Sequence, residues 1–150
     1  MDDLSYRREI VVSSTPSTAY QALTADIKKW WTDDCDHISK TGDTTTFRFG
    51  PTYWVMRAVS AVPDERVSLK CIDAHHVHEG LPSSILDEWR GTTLTWQIYR
   101  QGAKTRIVFE HEGLDPSLNC YEVCEQGWDY YFLKSLKHYL DTGVGSPYQN

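Results

Sequence analysis

The sequence lacks the features of two large classes of protein. No apolar run approaches the roughly 20 residues that cross a bilayer as a helix. Basic residues are few, 15 against 21 acidic ones, and the net charge of −6 gives no sign of the clustered basic face that binds nucleic acid. The acidic start, Met1-Asp2-Asp3-Leu4, also lacks the apolar segment of an export signal. We therefore predict a cytoplasmic protein that uses neither a membrane nor a nucleic acid as its partner.

Paired CxxC motifs are also missing. The four cysteines are Cys35, Cys71, Cys120 and Cys124. In a cytosolic protein they are expected to be reduced thiols that act as small buried side chains. Cys120 and Cys124 are four residues apart, so a helix would place them on adjacent turns.

Phenylalanine and methionine are scarce, with four and two copies, whereas the chain has six tryptophans and nine tyrosines. Aromatic rings with polar tips suit surfaces that are apolar yet partly wet, such as a cavity wall. The length of 150 residues and the 40% hydrophobic content are those of one globular domain. We predict a single domain over 1–150, with its core over about 6–143 and an exposed tail over 144–150.

Alternating patterns predict most of the strands. Residues 6–12 alternate and read as a strand, after which Thr15 and Pro16 form a helix start. Thr24 is then expected to cap a second short helix. From 43 to about 112 the period is two, with short turns between the segments. At least six strands in a largely antiparallel meander follow from this pattern.

The last predicted element is a long helix. Asp115 followed by Pro116 is a typical start, and Gly143 is a typical stop. Its apolar side chains cover roughly 200° of arc, which is wider than a helix on a flat surface requires. The pattern therefore favours a helix held by a curved sheet.

This order of elements resembles the helix-grip fold of the START-like (SRPBCC) superfamily. Individual motifs resemble the family named after the activator of the heat-shock-protein-90 ATPase, in its short single-domain form. Spread over roughly 7–143, they are Pro16 with Ala22-Leu23, Trp30-Trp31, Val62-Pro63 with Glu65-Arg66-Val67, Trp89-Gly91-Thr92, Thr105 through His111, and Gly127-Trp128 with Leu133, Leu136-Lys137, Leu140 and Gly143.

The resemblance implies an α+β fold. A curved antiparallel sheet of six or seven strands would wrap around the long C-terminal helix, with two short helices after the first strand. An elongated apolar cavity between sheet and helix, used for lipids or other hydrophobic molecules, is also implied. Co-chaperone activity is not, because the eukaryotic activators carry a separate N-terminal chaperone-binding domain that these 150 residues do not contain. We therefore do not expect a chaperone partner.

Two interpretations of the cavity remain open. An empty void of about 300 Å³ would cost about 7 kcal/mol, a large part of the 5–15 kcal/mol stability that is typical of a domain. The space is therefore filled either by Trp31, Trp96 and Trp128 or by a small hydrophobic or amphipathic ligand. The predicted lining of an open pocket is Trp31, Phe49, Leu69, Cys71, Trp89, Trp96, Phe109, His111, Tyr121, Cys124, Trp128 and Tyr131. No cofactor is expected, and a homodimer is left open.

The histidines suggest chemistry but favour simpler interpretations. His111 could act as an acid or base on the inner face of a strand, yet a hydrogen-bonded core histidine is the favoured interpretation. His75, His76 and His78 lack the second ligand pair of a structural zinc site, and we expect them in a solvated loop near the pocket mouth. We therefore predict no metal site and no catalytic residue.

Acidic side chains mark the first half of the long helix. The helix dipole explains Glu122 and Glu125 near the N-terminus, whereas Asp129 lies too far along. The acids suggest that this half meets water or a polar mouth. Ligand binding is the favoured function. The alternatives are a cyclase- or dehydratase-like enzyme acting in the same cavity, or a chaperone-interaction module, which would need a large exposed patch.

Overall fold

One curved sheet forms the frame of the molecule. The structure, a computed structural model, describes residues 4–150, so Met1-Asp2-Asp3, which carry most of the expectation about export, lie outside the described residues. The strands are β1 (Tyr6–Val12), β2 (Thr44–Phe49), β3 (Thr52–Val62), β4 (Arg66–His75), β5 (Thr93–Gln101) and β6 (Lys104–Glu112). They pair antiparallel in the order β1-β6-β5-β4-β3-β2, which confirms the predicted antiparallel meander.

The sheet bends because β3 is irregular. Its pairing with β4 shifts register between Val55 and Met56 and again between Ala58 and Ser60. Such irregularities bend a strand and increase its twist. Alternate residues of the strands, such as Leu94 and Trp96 of β5, are buried on the concave face. That face holds the C-terminal helix.

The two short helical elements after β1 differ from each other. Helix α1 (Pro16–Ala22) begins as predicted, with the Thr15 side chain accepting a hydrogen bond from the Thr18 amide. The second element is only a 3-10 turn, Ile27–Lys29, and its predicted cap is wrong. The Thr24 hydroxyl instead donates backward to the Tyr20 carbonyl, 2.8 Å away, because a threonine can bond the carbonyl four residues earlier.

The C-terminal helix is one continuous rod in three segments: α2 (Tyr121–Tyr130), a π-helical stretch (Tyr131–Leu136) and α3 (Lys137–Thr142). It ends at Gly143, whose φ of 87° is the left-handed conformation of a helix stop, as predicted. The predicted start at Asp115 and Pro116 is wrong, since residues 116–120 form turns. The amides of Asn119 and Cys120 donate instead to the carboxylate of Glu88, at 3.0 and 2.9 Å, so a distant residue caps the helix.

The C-terminal tail is bound to the surface of the domain. The Tyr148 amide donates to the Trp31 carbonyl at 2.8 Å, and the Asp33 amide donates to the Tyr148 carbonyl at 3.0 Å. The tail passes so close to the chain after α1 that a Cβ on Gly145 would lie 2.1 Å from the Lys29 carbonyl oxygen. Residues 144–150 are mostly exposed to solvent, and these hydrogen bonds hold them against the domain as a docked tail. Among the described residues, no helix combines the length and the apolarity needed to cross a membrane.

The core between sheet and helix has two parts, a packed half and a hollow half. The packed half consists of β5, β6, the residues after α1 and the rear of the C-terminal helix; its central side chains are Trp30, Trp96, Phe109, Phe132 and Leu136, all at most 1% exposed. The hollow half lies beside β2, β3 and the front of the helix. It is defined by Trp31, Phe49, Trp54, Trp89 and Gly127.

Candidate functional site

The hollow half contains a cavity of about 350 Å³. Strands β2 and β3, the loop after β4 and the front of the C-terminal helix surround it. Six of the residues that the sequence proposed for a pocket line this cavity: Trp31, Phe49, Trp89, Cys124, Trp128 and Tyr131. The sheet and helix therefore leave a partly open space between them at this end of the grip.

The other six proposed residues do not line the cavity: Leu69, Cys71, Trp96, Phe109, His111 and Tyr121. The first five are buried in the protein interior. Tyr121 lies on another face of the helix, where its hydroxyl donates to Glu125 at 3.0 Å. An elongated cavity running the whole length of the helix is therefore not present in the described structure.

Aromatic stacking fills the rest of that length. The Trp96 ring stacks on Phe109 with centroids 4.8 Å apart, and Trp128 meets Phe109 edge-on at 4.5 Å. Trp30 contacts Trp96 edge-on at 6.3 Å. Trp96 thus fills one half, whereas Trp31 and Trp128 border a space in the other. Occupation of that space by a ligand stays a prediction.

His111 belongs to the filled interior. It is fully buried, and its Nδ1 accepts a hydrogen bond from the indole Nε1 of Trp128 at 3.1 Å. Its Nε2 therefore carries the proton and donates to the Thr92 hydroxyl, 2.8 Å away, which in turn donates to the Trp89 carbonyl. Burial lowers the pKa of His111 to about 3, so the ring stays neutral. These contacts make it a core histidine that positions two tryptophans.

The cavity wall is a set of nearly parallel indole rings. Trp54 stacks on Trp89 with centroids 4.0 Å apart and an interplanar angle of 17°, and Trp89 is tilted by 15° from Trp128 at 6.0 Å. The Nε1 of Trp54 is a buried donor with no acceptor among the described residues. Trp54 was not among the residues proposed for the pocket, although it lies on a strand that the alternating pattern predicted.

Two tyrosines lie at the cavity. Tyr131 comes from the helix, and Tyr148 comes from the docked tail, where its side chain is partly exposed. Burial raises the pKa of Tyr131 to about 12, so its hydroxyl remains a neutral donor and acceptor. Tyr148 was also missed, because local sequence gives no signal that a tail will return to the mouth of a cavity.

Gly127 leaves space where most helix residues would occupy it. It lies in the middle of α2 and lines the cavity. A Cβ at this position would meet no atom of the described structure within 4 Å. Glycine destabilises a helix interior by about 1 kcal/mol relative to alanine, and no close contact requires it here. Its effect on the structure is to keep the cavity wide.

A cluster of thiol and imidazole groups lies at the inner end of the cavity. The donor atoms of His76, Cys120 and Cys124 all lie within 4.8 Å of one another, and all three side chains are buried. The Trp89 indole donates to the Cys124 sulfur at 3.2 Å. A hydrogen bond with Cys124 and burial raise the pKa of the Cys120 thiol, and the neighbouring His76 ring opposes them more weakly, so the thiol is protonated near neutral pH.

The prediction that His76 lies in a solvated loop is wrong, because its side chain is buried. Its amide donates to the Leu86 carbonyl at 2.9 Å, and its ring packs on Trp54 at 5.2 Å. The 3-10 turn Ser83–Asp87 folds over it and buries Ile85. His75 stacks on Tyr53 at the end of β4, and only His78 is exposed at the cavity. No sequence motif joins position 76 to positions 120 and 124, so the cluster was missed.

The acids of the helix meet water, as predicted, but not at this cavity: Glu122 is exposed, and Glu122 and Glu125 line a separate polar groove of about 520 Å³. Arg8 of β1 lies 3.3 Å from Glu125 and 3.5 Å from Asp129, and the Tyr6 hydroxyl donates to Asp129 at 2.7 Å. These contacts attach the front of the helix to β1. They explain Asp129, which the helix dipole does not.

A family model described as Activator of Hsp90 ATPase homolog 1-like protein matches residues 13–141. A comparison with curated proteins finds no match. Among solved structures, the Aha1 dimer of Colwellia psychrerythraea is 26% identical, has a TM-score of 0.75, and aligns over 94% of this chain and 98% of its own.

More distant structures share the fold alone. DynU16, described as a putative protein in the dynemicin biosynthetic locus, is 17% identical with a TM-score of 0.74, and the alignment covers all of this chain but 52% of that one. Protein MLL2253 of Mesorhizobium loti is also 17% identical, with a TM-score of 0.68 over 89% of this chain and 95% of its own. These likenesses confirm the predicted helix-grip architecture.

Proposed function

The chain belongs to the family of Activator of Hsp90 ATPase homolog 1-like proteins, and from that premise we propose that it binds one small hydrophobic or amphipathic molecule in the hollow half. The observation that carries the proposal is the cavity of about 350 Å³ beside Gly127. Its volume lies at the lower end of the range for small-molecule sites, which favours a compact ligand over a long lipid chain.

The walls favour a ligand with a flat apolar body and a polar edge. Trp54, Trp89 and Trp128 present stacked ring faces, on which a planar molecule can pack at little cost in side-chain order. The unpartnered Nε1 of Trp54 supplies a donor, and Tyr131 supplies a hydroxyl. An acceptor group on the ligand would remove the cost of the buried unpaired donor, about 1–3 kcal/mol.

Catalysis is not part of the proposal. The acid–base candidate His111 has both ring nitrogens engaged by Trp128 and Thr92, and it does not line the cavity. The residue that the sequence offered as acid or base for a cyclase- or dehydratase-like reaction is therefore out of reach of a molecule bound in the cavity.

Titration with the amphipathic aromatic probe 1-anilinonaphthalene-8-sulfonate tests the proposal. We expect saturable binding at one site per chain, seen as probe fluorescence and quenching of tryptophan emission. Gly127→Phe should fill the cavity and weaken binding at least tenfold. Gly127→Ala, the matched control, should retain it, because one methyl group at this position meets open space.

Near-ultraviolet circular dichroism would verify that both variants are folded. Equal probe affinity in wild type and a folded Gly127→Phe variant would refute the proposed site.

Assembly and location belong to the same proposal. The Colwellia protein is described as a dimer, and on this likeness we propose that the present chain also forms a homodimer, which sedimentation equilibrium would test. All four cysteines are free and buried, which supports a reducing compartment such as the cytoplasm.

A further inference from the structure

The proposed binding of a hydrophobic ligand does not account for the cluster of His76, Cys120 and Cys124. We propose that they bind one zinc ion, which joins the loop after β4 to the start of α2. The sequence predicted no metal site, because it showed no ligand spacing. In the folded chain, the three potential ligand atoms nevertheless lie within 4.8 Å of one another. His76 is at least 44 residues away from either cysteine in the sequence.

The donor set suits zinc. Thiolate and imidazole are the ligands that zinc prefers, and two cysteines with one histidine leave a fourth position for water or another oxygen. In a tetrahedral zinc site the donor atoms stand roughly 3.5–4 Å apart, as follows from metal–ligand bonds of about 2.0–2.3 Å. The observed spread of up to 4.8 Å needs only a small contraction, which side-chain rotation can supply.

The surroundings resemble a prepared metal site. His76 is 5% exposed, and its Nδ1 has no hydrogen-bond partner in the part of the chain described here. Orphaned buried nitrogens are uncommon and call for a partner. The Trp89 indole donates to the Cys124 sulfur, as outer hydrogen bonds do to metal-bound thiolates.

The backbone around the cluster is also fixed. The Glu88 carboxylate accepts from the Cys120 amide, and the Leu86 carbonyl accepts from the His76 amide. Both anchors lie in the segment between β4 and β5, so the histidine and the two cysteines are held by one piece of structure. A bound ion would tie the same elements together more strongly.

The fourth position would adjoin the ligand cavity, because His76 and Cys124 also line it. The metal proposal does not depend on the ligand proposal, since the three donors are all protein side chains. Its test uses metal ions alone.

Cobalt(II) serves as the spectroscopic probe. Metal-free, reduced wild-type protein should bind one cobalt ion per chain and show thiolate-to-cobalt charge-transfer absorption, which excess zinc abolishes. Cys120→Ser and Cys124→Ser should each weaken binding at least tenfold, and His76→Gln should do the same. Cys35→Ser, which alters a buried thiol outside the cluster, should leave the absorption unchanged.

Zinc-edge X-ray absorption of the wild type gives an answer even where a variant does not fold. We expect two sulfurs at about 2.3 Å and at least one nitrogen at about 2.0 Å from the ion. Absence of charge-transfer absorption, a shell without sulfur, or binding that survives in Cys124→Ser would overturn the proposal.

Discussion

The packed half and the hollow half are both built from aromatic side chains, but these rings fill the packed half and only border a cavity in the hollow half. In the packed half, Trp96 stacks on Phe109 and meets Trp30 edge-on, and these three rings are at most 1% exposed. In the hollow half, Trp54 and Trp89 stack just as closely yet border open space. Aromatic content alone therefore does not decide whether a cavity is filled.

The helix residues that face each half make the difference. Phe132 and Leu136 project from the rear of the helix into the packed half and are fully buried there. At the front, Gly127 presents no side chain to the opposite wall. Phe132 and Leu136 fill the space in front of the rear of the helix, whereas Gly127 has no side chain to fill the space at the front. This difference divides the interior into a solid part and a hollow part.

The largest expected effect is a loss of stability when a side chain of the packed half is truncated. Trp96→Ala should lower the free energy of unfolding by about 3–5 kcal/mol, because it empties a packed core site. Urea denaturation measures this loss, and Trp96→Phe should recover most of it. A loss of no more than about 1 kcal/mol for Trp96→Ala would contradict a solid core in the packed half.

The second largest effect is the pH dependence of stability that buried His111 causes. His111 has a pKa of about 3 when folded and about 6.5 when unfolded. Below pH 6.5 the unfolded chain takes up a proton that the folded chain refuses, so stability falls as pH falls, by about 1.4 kcal/mol per pH unit. At pH 5 the loss should be about 2 kcal/mol.

Comparison of wild type with His111→Gln isolates this contribution. The variant should lack the extra slope between pH 6.5 and 4.5 in urea denaturation series. The lowered pKa values of the carboxyls of Asp33, Asp43 and Asp141 act only at more acidic pH and are common to both proteins. Parallel pH profiles for the two proteins would mean that His111 is not a buried neutral group.

The sequence predicted the frame better than the interior. Alternation over 43–112 sufficed to predict the antiparallel sheet, and Gly143 was correctly identified as the end of the long helix. The start of that helix was missed because its cap, Glu88, comes from another part of the chain. Local signals cannot reveal a cap that tertiary structure supplies.

The binding site stays a prediction, although six of the twelve residues proposed for it line the cavity. Trp31, Trp89 and Trp128 were proposed from the inward faces of predicted elements, and they line the cavity. Trp96 and Phe109 satisfied the same criterion but lie in the packed half. Inward-facing periodicity identifies what can be buried, whereas the division between solid and hollow depends on the residues opposite, which only the folded chain brings together.

The smallest expected effect tests whether Gly127, which keeps the cavity wide, lowers the stability of the helix. Gly127→Ala should raise the free energy of unfolding by about 0.5–1 kcal/mol, because alanine is the better helix former and its Cβ meets no atom within 4 Å. Gly91→Ala is the matched control, since it also meets open space but has a φ of 88°, where an L-residue is strained. That change should destabilise, and both are measured by urea denaturation. A loss of stability in Gly127→Ala would show that the glycine is needed for packing, and the open wall of the hollow half would then be a by-product of that packing.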